Sequence, residues 1–226
     1  MDAELFKKVL PHQCMGSIWF RRNKPGNEHL ALTVWATIAQ FNGVARCIIP
    51  TCLGNPSTTT RDRSGCTGSS SSLPQACHIL GNYSSLHAIL SGLQNDSVHH
   101  LKRTWESGRC DVKESGSKWT EGILLSRTLS LALQECPFNK FASLVRHLQR
   151  AQKRLPKKTQ GVIPYLGTFL TDLVMWDTVM EDCIEEYRVL TDIMLLQVAA
   201  ENYTLEPQRP FRAWFLSVEQ LSEDER

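Results

Sequence analysis

The fold of this 226-residue chain is decided by the stretch Gly161-Val-Ile-Pro-Tyr-Leu-Gly-Thr-Phe-Leu-Thr-Asp-Leu173. Apolar residues recur here, and just beyond its end, every three or four positions, as in a helix that buries one face. They are Leu166, Phe169, Leu170, Leu173, Trp176 and Met180. Because proline suits the first helical position, we predict a helix from Pro164 to Met180.

The same spacing predicts further helices over Glu28–Phe41, over Tyr187–Asn202 and from Pro210 onward. The inward residues of the second are expected to be Leu190, Ile193, Met194 and Val198. Those of the third are expected to be Phe211, Trp214, Phe215, Val218 and Leu221. No stretch alternates apolar and polar residues as a half-buried strand does, so the predicted fold class is all-α.

Helix ends and irregular segments can also be predicted. Asn42 and Gly43 are expected to end the helix before them, since both tolerate the left-handed conformation. Either Ser84 or Ser85 can cap a helix that buries Leu86 and Leu90. Residues 50–76 and 107–135 are rich in small and polar residues or in glycine, and we predict that they are disordered or altered segments.

Composition bears on the compartment and on the partners. The chain has 25 Lys and Arg against 23 Asp and Glu, so its net charge of +2 does not suit a charge-driven nucleic-acid binder. It contains no apolar run of about 18 residues and no secretory signal, which predicts no membrane span. We therefore expect a cytoplasmic protein with reduced thiols.

Motifs for covalent or metal chemistry are not found in the sequence. The eight cysteines lack the spacing of a zinc site, which predicts no bound metal. Neither a nucleophile elbow nor a phosphate-binding loop is present, and no cofactor is expected. The residues by themselves therefore indicate a helical domain that acts by binding.

Four phrases, in order, carry a resemblance to a known family. They begin at Asp2-Ala-Glu-Leu-Phe, Phe41-Asn-Gly-Val, Asn82-Tyr-Ser-Ser-Leu and Gly161-Val-Ile-Pro-Tyr. Together they resemble the catalytic domain of Ras-type guanine-nucleotide exchange factors, in the branch of the Ral guanine nucleotide dissociation stimulators. The resemblance implies an all-α domain over residues 1–226, incomplete at its C-terminus. It also implies a Ras-family, Ral-like GTPase as partner and GDP release by binding, without covalent chemistry.

In that family a helical hairpin wedges into the GTPase near switch I, and the domain core grips switch II. Carried over by position, the resemblance implies two sets of site residues. Those promoting exchange, the catalytic set, would be Thr171, Asp172, Val174, Asp177 and Thr178. Those binding the GTPase would be Asn42, Asn82, Pro164, Tyr165 and Gly167.

Departures from the family leave two alternatives open. The hairpin is shorter than usual by roughly three helical turns, and an amphipathic helix of the family is replaced within residues 50–76. A non-catalytic fragment that binds or scaffolds a small GTPase would fit these departures. A basic protein associated with nucleic acid through Arg146–Lys158 is the second alternative.

Overall fold

The computed structural model describes residues 1–21, 24–27, 29–53, 73–74, 76–95, 161–176, 183–206 and 208–217. Every regular element within these ranges is helical, apart from one isolated bridge between Asn82 and Ile163. The elements are α1 (Asp2–Lys7), a 3-10 turn (Pro11–Cys14), α2 (Gly16–Arg21), α3 (Leu32–Leu53), α4 (Tyr83–Leu93), α5 (Leu166–Met175), α6 (Cys183–Glu201) and α7 (Arg209–Ser217). The all-α prediction is confirmed.

Several predictions fall on residues outside the described ranges. Asp177 and Thr178 are among them, as are the segment 107–135 and the basic stretch Arg146–Lys158. Most of the segment 50–76 lies outside as well. Its residues 50–53 are described and belong to α3, and residues 73, 74 and 76 are described too; that the segment is disordered or altered stays a prediction.

Helix α3 is longer than its sequence predicts. It begins at Leu32 and continues through Asn42 and Gly43 to Leu53, so the predicted end at Phe41 was wrong. Pro50 lies inside the helix, and next to it the Thr51 hydroxyl donates a hydrogen bond to the Cys47 carbonyl at 2.7 Å. Burial of the side chains at 47–49 outweighs the weak helix preference of Asn, Gly and Pro.

Helix α5 is shorter than predicted at its N-terminus. Pro164 does not occupy the first helical position, because α5 begins at Leu166 with Tyr165 as its extended N-cap residue. The reason is the bridge to Asn82, which holds Ile163 in an extended conformation. The predicted buried face is confirmed for Leu166, Phe169, Leu170 and Leu173; Trp176 is half-buried and Met180 lies outside the described residues.

Helix α4 is capped by a residue other than the predicted ones. Its first residue is Tyr83, and the side-chain Oδ1 of Asn82 accepts a hydrogen bond of 3.0 Å from the Ser85 backbone N–H. This is the arrangement of an N-cap residue bonded to the third residue of its helix. The prediction of Ser84 or Ser85 as the cap was therefore wrong, although Leu86 and Leu90 are buried as expected.

Helices α6 and α7 depart from the predicted inward faces. On α6, Ile193 is buried together with Leu196, Ala199 and Ala200, whereas Met194 and Val198 are 54% and 61% exposed. On α7, no side chain is buried, and Phe211 and Trp214 remain about half exposed, so these were predicted wrongly as inward.

The chain divides into two compact units. The first comprises Met1–Asn42, Gly81–Ser85 and Leu155–Arg209. Its core is built from α1, α5 and α6, with Phe6, Leu173 and Ile193 each at most 1% exposed. Gln197 of α6 joins the Phe6 and Val9 carbonyls of the N-terminal segment, donating from Nε2 at 3.0 and 2.7 Å.

The second unit comprises Gly43–Leu80, Leu86–Arg154 and Pro210–Arg226. Within it, the C-terminal parts of α3 and α4 meet at Gly92, where an added Cβ would lie 2.8 Å from Ile48 Cβ. Cys47, Ile49, Leu86 and Leu93 are buried in this unit.

One described helix passes a length and composition test for membrane spans. It is α3, with 22 residues and a mean hydropathy of 1.2 in its most apolar window. A core helix passes the same test, and α3 contributes Val34 to the core of the first unit and Cys47 to that of the second.

Candidate functional site

A pocket of about 450 Å³ opens on the first unit. Helices α2, α3 and α5 supply its walls, together with the first turn of α4. Its lining residues are Trp19, Thr37, Ile38, Phe41, Asn42, Ser84, Tyr165, Leu166, Gly167, Leu170, Thr171 and Val174. The structure therefore brings five sequence-predicted site residues to one surface, namely Asn42, Tyr165, Gly167, Thr171 and Val174.

Aromatic rings form one wall of this pocket. The Phe41 and Tyr165 rings pack with centroids 5.1 Å apart and planes inclined by 32°. This tilted arrangement is one that aromatic pairs favour. Burial raises the pKa of the Tyr165 phenol, so the wall stays neutral at physiological pH.

The position of the aromatic wall depends on a glycine at position 167. A Cβ built on Gly167 would overlap the Tyr165 ring, because that ring lies directly against the glycine backbone. The ring can take this position only where residue 167 lacks a side chain. Gly167 is thus a structural requirement of the aromatic wall.

The rim of the pocket is polar and partly exposed. Thr171 is exposed on α5, and its hydroxyl donates a hydrogen bond of 2.9 Å to the Gly167 carbonyl one turn earlier. Asn42 is exposed on α3, and Val174 is half-buried on α5. Asp172 is also half-buried on α5, but it is not among the residues that line the pocket.

Electrostatically, the pocket carries no formal charge at neutral pH, because none of its lining residues is Asp, Glu, Lys, Arg or His. Such a surface suits an uncharged, mainly apolar group and does not suit a phosphate or a metal ion. Across the described ranges, no three His, Cys, Asp or Glu side chains come together as candidate metal ligands. The described lining can therefore bind and orient a partner group, and it contains no carboxylate, imidazole or ammonium group.

Two further predicted residues lie beside the pocket. Asn82 is half-buried, and its Nδ2 donates hydrogen bonds of 3.1 Å to Asp2 Oδ2 and to Ser85 Oγ. Pro164 is buried in the connection that enters α5, between Ile163 and Tyr165. Neither residue is among those that line the pocket, so their predicted role in binding the GTPase stays a prediction.

Sequence reasoning did not assign site roles to several lining residues, notably Trp19, Ile38, Phe41 and Ser84. The signal was available for two of them, because Phe41 and Ser84 lie in phrases that carry the family resemblance. Leu166 and Leu170 were interpreted as core residues, and they are indeed buried while also contributing to the pocket wall.

A model of the RasGEF domain matches residues 1–194 of the chain. The chain belongs to the RasGEF domain family. All lining residues of the pocket fall within the matched range of this RasGEF domain, whereas α7 lies beyond it. The resemblance inferred from the four phrases is thereby confirmed.

Curated relatives extend over the whole chain. Human Ral guanine nucleotide dissociation stimulator-like 1 is 39% identical over 251 aligned positions, which cover 100% of this chain and 32% of that protein. Human Ral-GDS-related protein is 40% identical, with 100% of this chain and 49% of that protein covered. Human Ral guanine nucleotide dissociation stimulator-like 2 is 32% identical, with 99% and 32% covered.

The RasGEF chain is shorter than the region of these relatives that it matches. The first alignment has 251 positions against 226 residues, so that relative carries segments that this chain lacks. The chain spans about a third to a half of the length of these relatives.

Proposed function

We propose that this RasGEF domain promotes GDP release from a Ras-family small GTPase, with Ral as the preferred GTPase. The observation that carries the proposal is the uncharged aromatic pocket, whose lining residues all fall within the part of the chain that matches the RasGEF domain. The names of the relatives, which refer to stimulated dissociation of guanine nucleotide from Ral, support the choice of GTPase.

The pocket would receive an apolar side chain of the GTPase. Full burial of one large apolar side chain stabilises a complex by about 1.5–3 kcal/mol. Since 1.4 kcal/mol corresponds to a factor of ten, one such contact amounts to about 10- to 100-fold in affinity. A contact made only in the nucleotide-free form weakens nucleotide binding by the same factor, because linkage is reciprocal.

In this mechanism helix α5 would contact the GTPase through its outer face. Its inner face is fixed in the core by Leu166, Phe169 and Leu173, while Thr171 is exposed and Met175 is 48% exposed on the outer side. Because its inner face is buried in the core, α5 would keep its position when the GTPase binds against its outer face. Thr171, Asp172 and Val174 remain our proposed exchange-promoting residues on α5, with Asp177 and Thr178 further along the chain.

The test is release of fluorescent GDP from purified Ral, with and without the chain. We compare the wild type with Thr171→Arg, which places a long cation over the pocket at an exposed position, and with Thr171→Ser as the matched control. We expect the wild type and Thr171→Ser to accelerate release and Thr171→Arg to lose most of the acceleration. Equal rates for wild type and Thr171→Arg would contradict the proposed site.

A non-catalytic GTPase-binding role is a second candidate. Only residues 176–182 separate α5 from α6, which leaves little chain for a hairpin wedge. The same assay decides between the two roles when it is paired with capture of nucleotide-free Ral. Retained capture without accelerated release would support the binding role, and loss of both would oppose each of them.

A further inference from the structure

The carboxylate of Asp2 is buried, with 7% of the residue exposed. Asp2 lies in the first turn of α1, and its Oδ2 accepts hydrogen bonds from Asn82 Nδ2 at 3.1 Å and from the Ser85 hydroxyl. Both donors belong to the first turn of α4, where the backbone dipole favours a negative charge. One acidic side chain therefore joins the N-terminal helix to the start of α4.

The amide of Asn82 is fully engaged in the same network. Its Nδ2 donates to Asp2 and to Ser85 Oγ, and its Oδ1 caps α4 by accepting from the Ser85 backbone N–H. An amide group with both ends occupied is held in one orientation. The side chain of Asn82 thus has a supporting role within the domain.

The backbone beside Asn82 leads directly to the pocket. The Tyr83 N–H donates to the Ile163 carbonyl at 2.8 Å, and the Ile163 N–H donates to the Gly81 carbonyl at 2.9 Å. Two residues after Ile163 comes Tyr165, and two residues after Asn82 comes Ser84; both line the pocket. Asn82 therefore lies at the point where the segments that carry Ser84 and Tyr165 are joined by backbone hydrogen bonds.

We infer that Asp2 is a positioning residue of the exchange site, acting through Asn82 to hold Ser84 and Tyr165 in the pocket walls. The inference rests on the proposed function, because its effect is measured as exchange on Ral. It assigns a role to a residue that is not among those lining the pocket.

The test uses Asp2→Asn, which keeps the size of the side chain, removes its charge and replaces one of its two acceptor oxygens by an N–H donor, so that Asn82 Nδ2 and the Ser85 hydroxyl share a single neutral acceptor. Residues in one hydrogen-bond network are energetically coupled. We therefore expect Asp2→Asn to decrease kcat/KM for exchange by about tenfold, with kcat/KM calculated per folded molecule. The matched control is Glu4→Gln, which removes a carboxylate from the same helix, where it forms a surface ion pair with Lys7. We expect this control to retain the wild-type rate.

Rescue separates positioning from a general loss of stability. The double variant Asp2→Asn with Asn82→Asp exchanges donor and acceptor, so that the new amide at position 2 can donate to the new carboxylate at position 82, which still caps α4. We expect it to exchange faster than either single variant, Asp2→Asn or Asn82→Asp, as a coupled pair does in a double-mutant cycle. Circular dichroism and urea unfolding establish the folded fraction of each variant.

The outcomes distinguish this inference from the proposed function. An active wild type with an equally active, folded Asp2→Asn variant would overturn the inference alone. A wild type that neither binds nor activates Ral would overturn both. If Asp2→Asn does not fold, Ser85→Ala removes one donor and keeps the charge; reduced exchange in this folded variant would support the inference, and unchanged exchange would overturn it.

Discussion

The Phe41 ring lies against the Tyr165 ring at a centroid distance of 5.1 Å, which joins the middle of α3 to the residue that caps α5. The pair forms a wall of the pocket, and each ring supports the position of the other.

Removal of one ring should open this wall. We expect Phe41→Ala to reduce exchange on Ral by tenfold or more and to destabilise the domain by about 2 kcal/mol, below the range for fully buried aromatics because Phe41 is half-buried. The matched control is Tyr165→Phe, which keeps both rings and removes only a hydroxyl. Comparable exchange by Phe41→Ala and wild type would exclude the wall from the binding surface.

Replacement by alanine should change the free energy of unfolding in opposite directions at two glycines. Gly167→Ala pushes a methyl group into the Tyr165 ring, so we expect lower exchange and lower stability. At Gly43, inside α3, the added Cβ meets only Phe215 Cζ at an ordinary 3.5 Å. Since alanine favours helices, we expect Gly43→Ala to raise the free energy of unfolding by about 0.5–1 kcal/mol. Urea titrations of both variants check this, and a stabilising Gly167→Ala would contradict the close ring contact.

Gln197 should be important for the stability of the first unit. Gln197→Glu replaces the amide that bonds the Phe6 and Val9 carbonyls by a carboxylate facing two oxygens. We expect a loss of about 2–4 kcal/mol, since two buried acceptors lose their donor. The control is Met194→Gln on the exposed side of the same helix, which should change the free energy of unfolding by less than about 0.5 kcal/mol.

Thiol labelling should distinguish the exposed Cys183 from the buried Cys14. Cys183 is exposed, whereas Cys14 is fully buried and burial raises the pKa of its thiol to about 12. Because the thiolate is the reactive species, we expect iodoacetamide at a pH of about 8 to label Cys183 and to spare Cys14 until the protein unfolds. Peptide mass spectrometry measures both sites, and rapid native labelling of Cys14 would contradict its burial.

His87 should make the stability depend on pH. Burial lowers the pKa of its imidazole to about 4, so the unfolded chain binds more protons than the folded one between about pH 6.5 and 4. Stability therefore falls as the pH falls through this window, by about 3 kcal/mol in total. Burial also lowers the pKa of His78, which adds to the same trend.

Urea unfolding at a series of pH values tests this dependence. We expect His87→Gln to flatten the curve between about pH 6.5 and 4, with little change in slope at higher pH. A variant curve as steep as that of the wild type would assign the dependence to other groups.

The helical faces could be predicted where their periodicity was clear. Leu166, Phe169 and Leu173 repeat at helical spacing, and all three are buried. The end of α3 could not be predicted, because the local preferences of Asn42 and Gly43 oppose a helix that burial further along maintains. The start of α5 depends on the bridge between Ile163 and Asn82, which is a tertiary contact that no local pattern encodes.

The candidate site could be predicted only in part, because it too depends on tertiary contacts that no local pattern encodes. Periodicity distinguishes a buried face from an exposed one, but it does not show which exposed faces meet. Trp19, Phe41 and Tyr165 come from three segments that only the folded unit brings together. The family phrases located the segments of Phe41 and Tyr165, and the structure shows the hydrogen bonds that join Asn82 to Asp2 and Ser85.

Gly81 has a positive φ of 69°, and a Cβ there would lie 2.9 Å from the Gly161 carbonyl oxygen. Gly26 has a φ of 86°, but it is open to solvent, with no atom within 4 Å of an added Cβ. Any side chain at position 81 would clash with the backbone, so a missense allele at that codon should behave as a loss of function. Asn tolerates a positive φ, so an Asn allele at codon 26 should be benign.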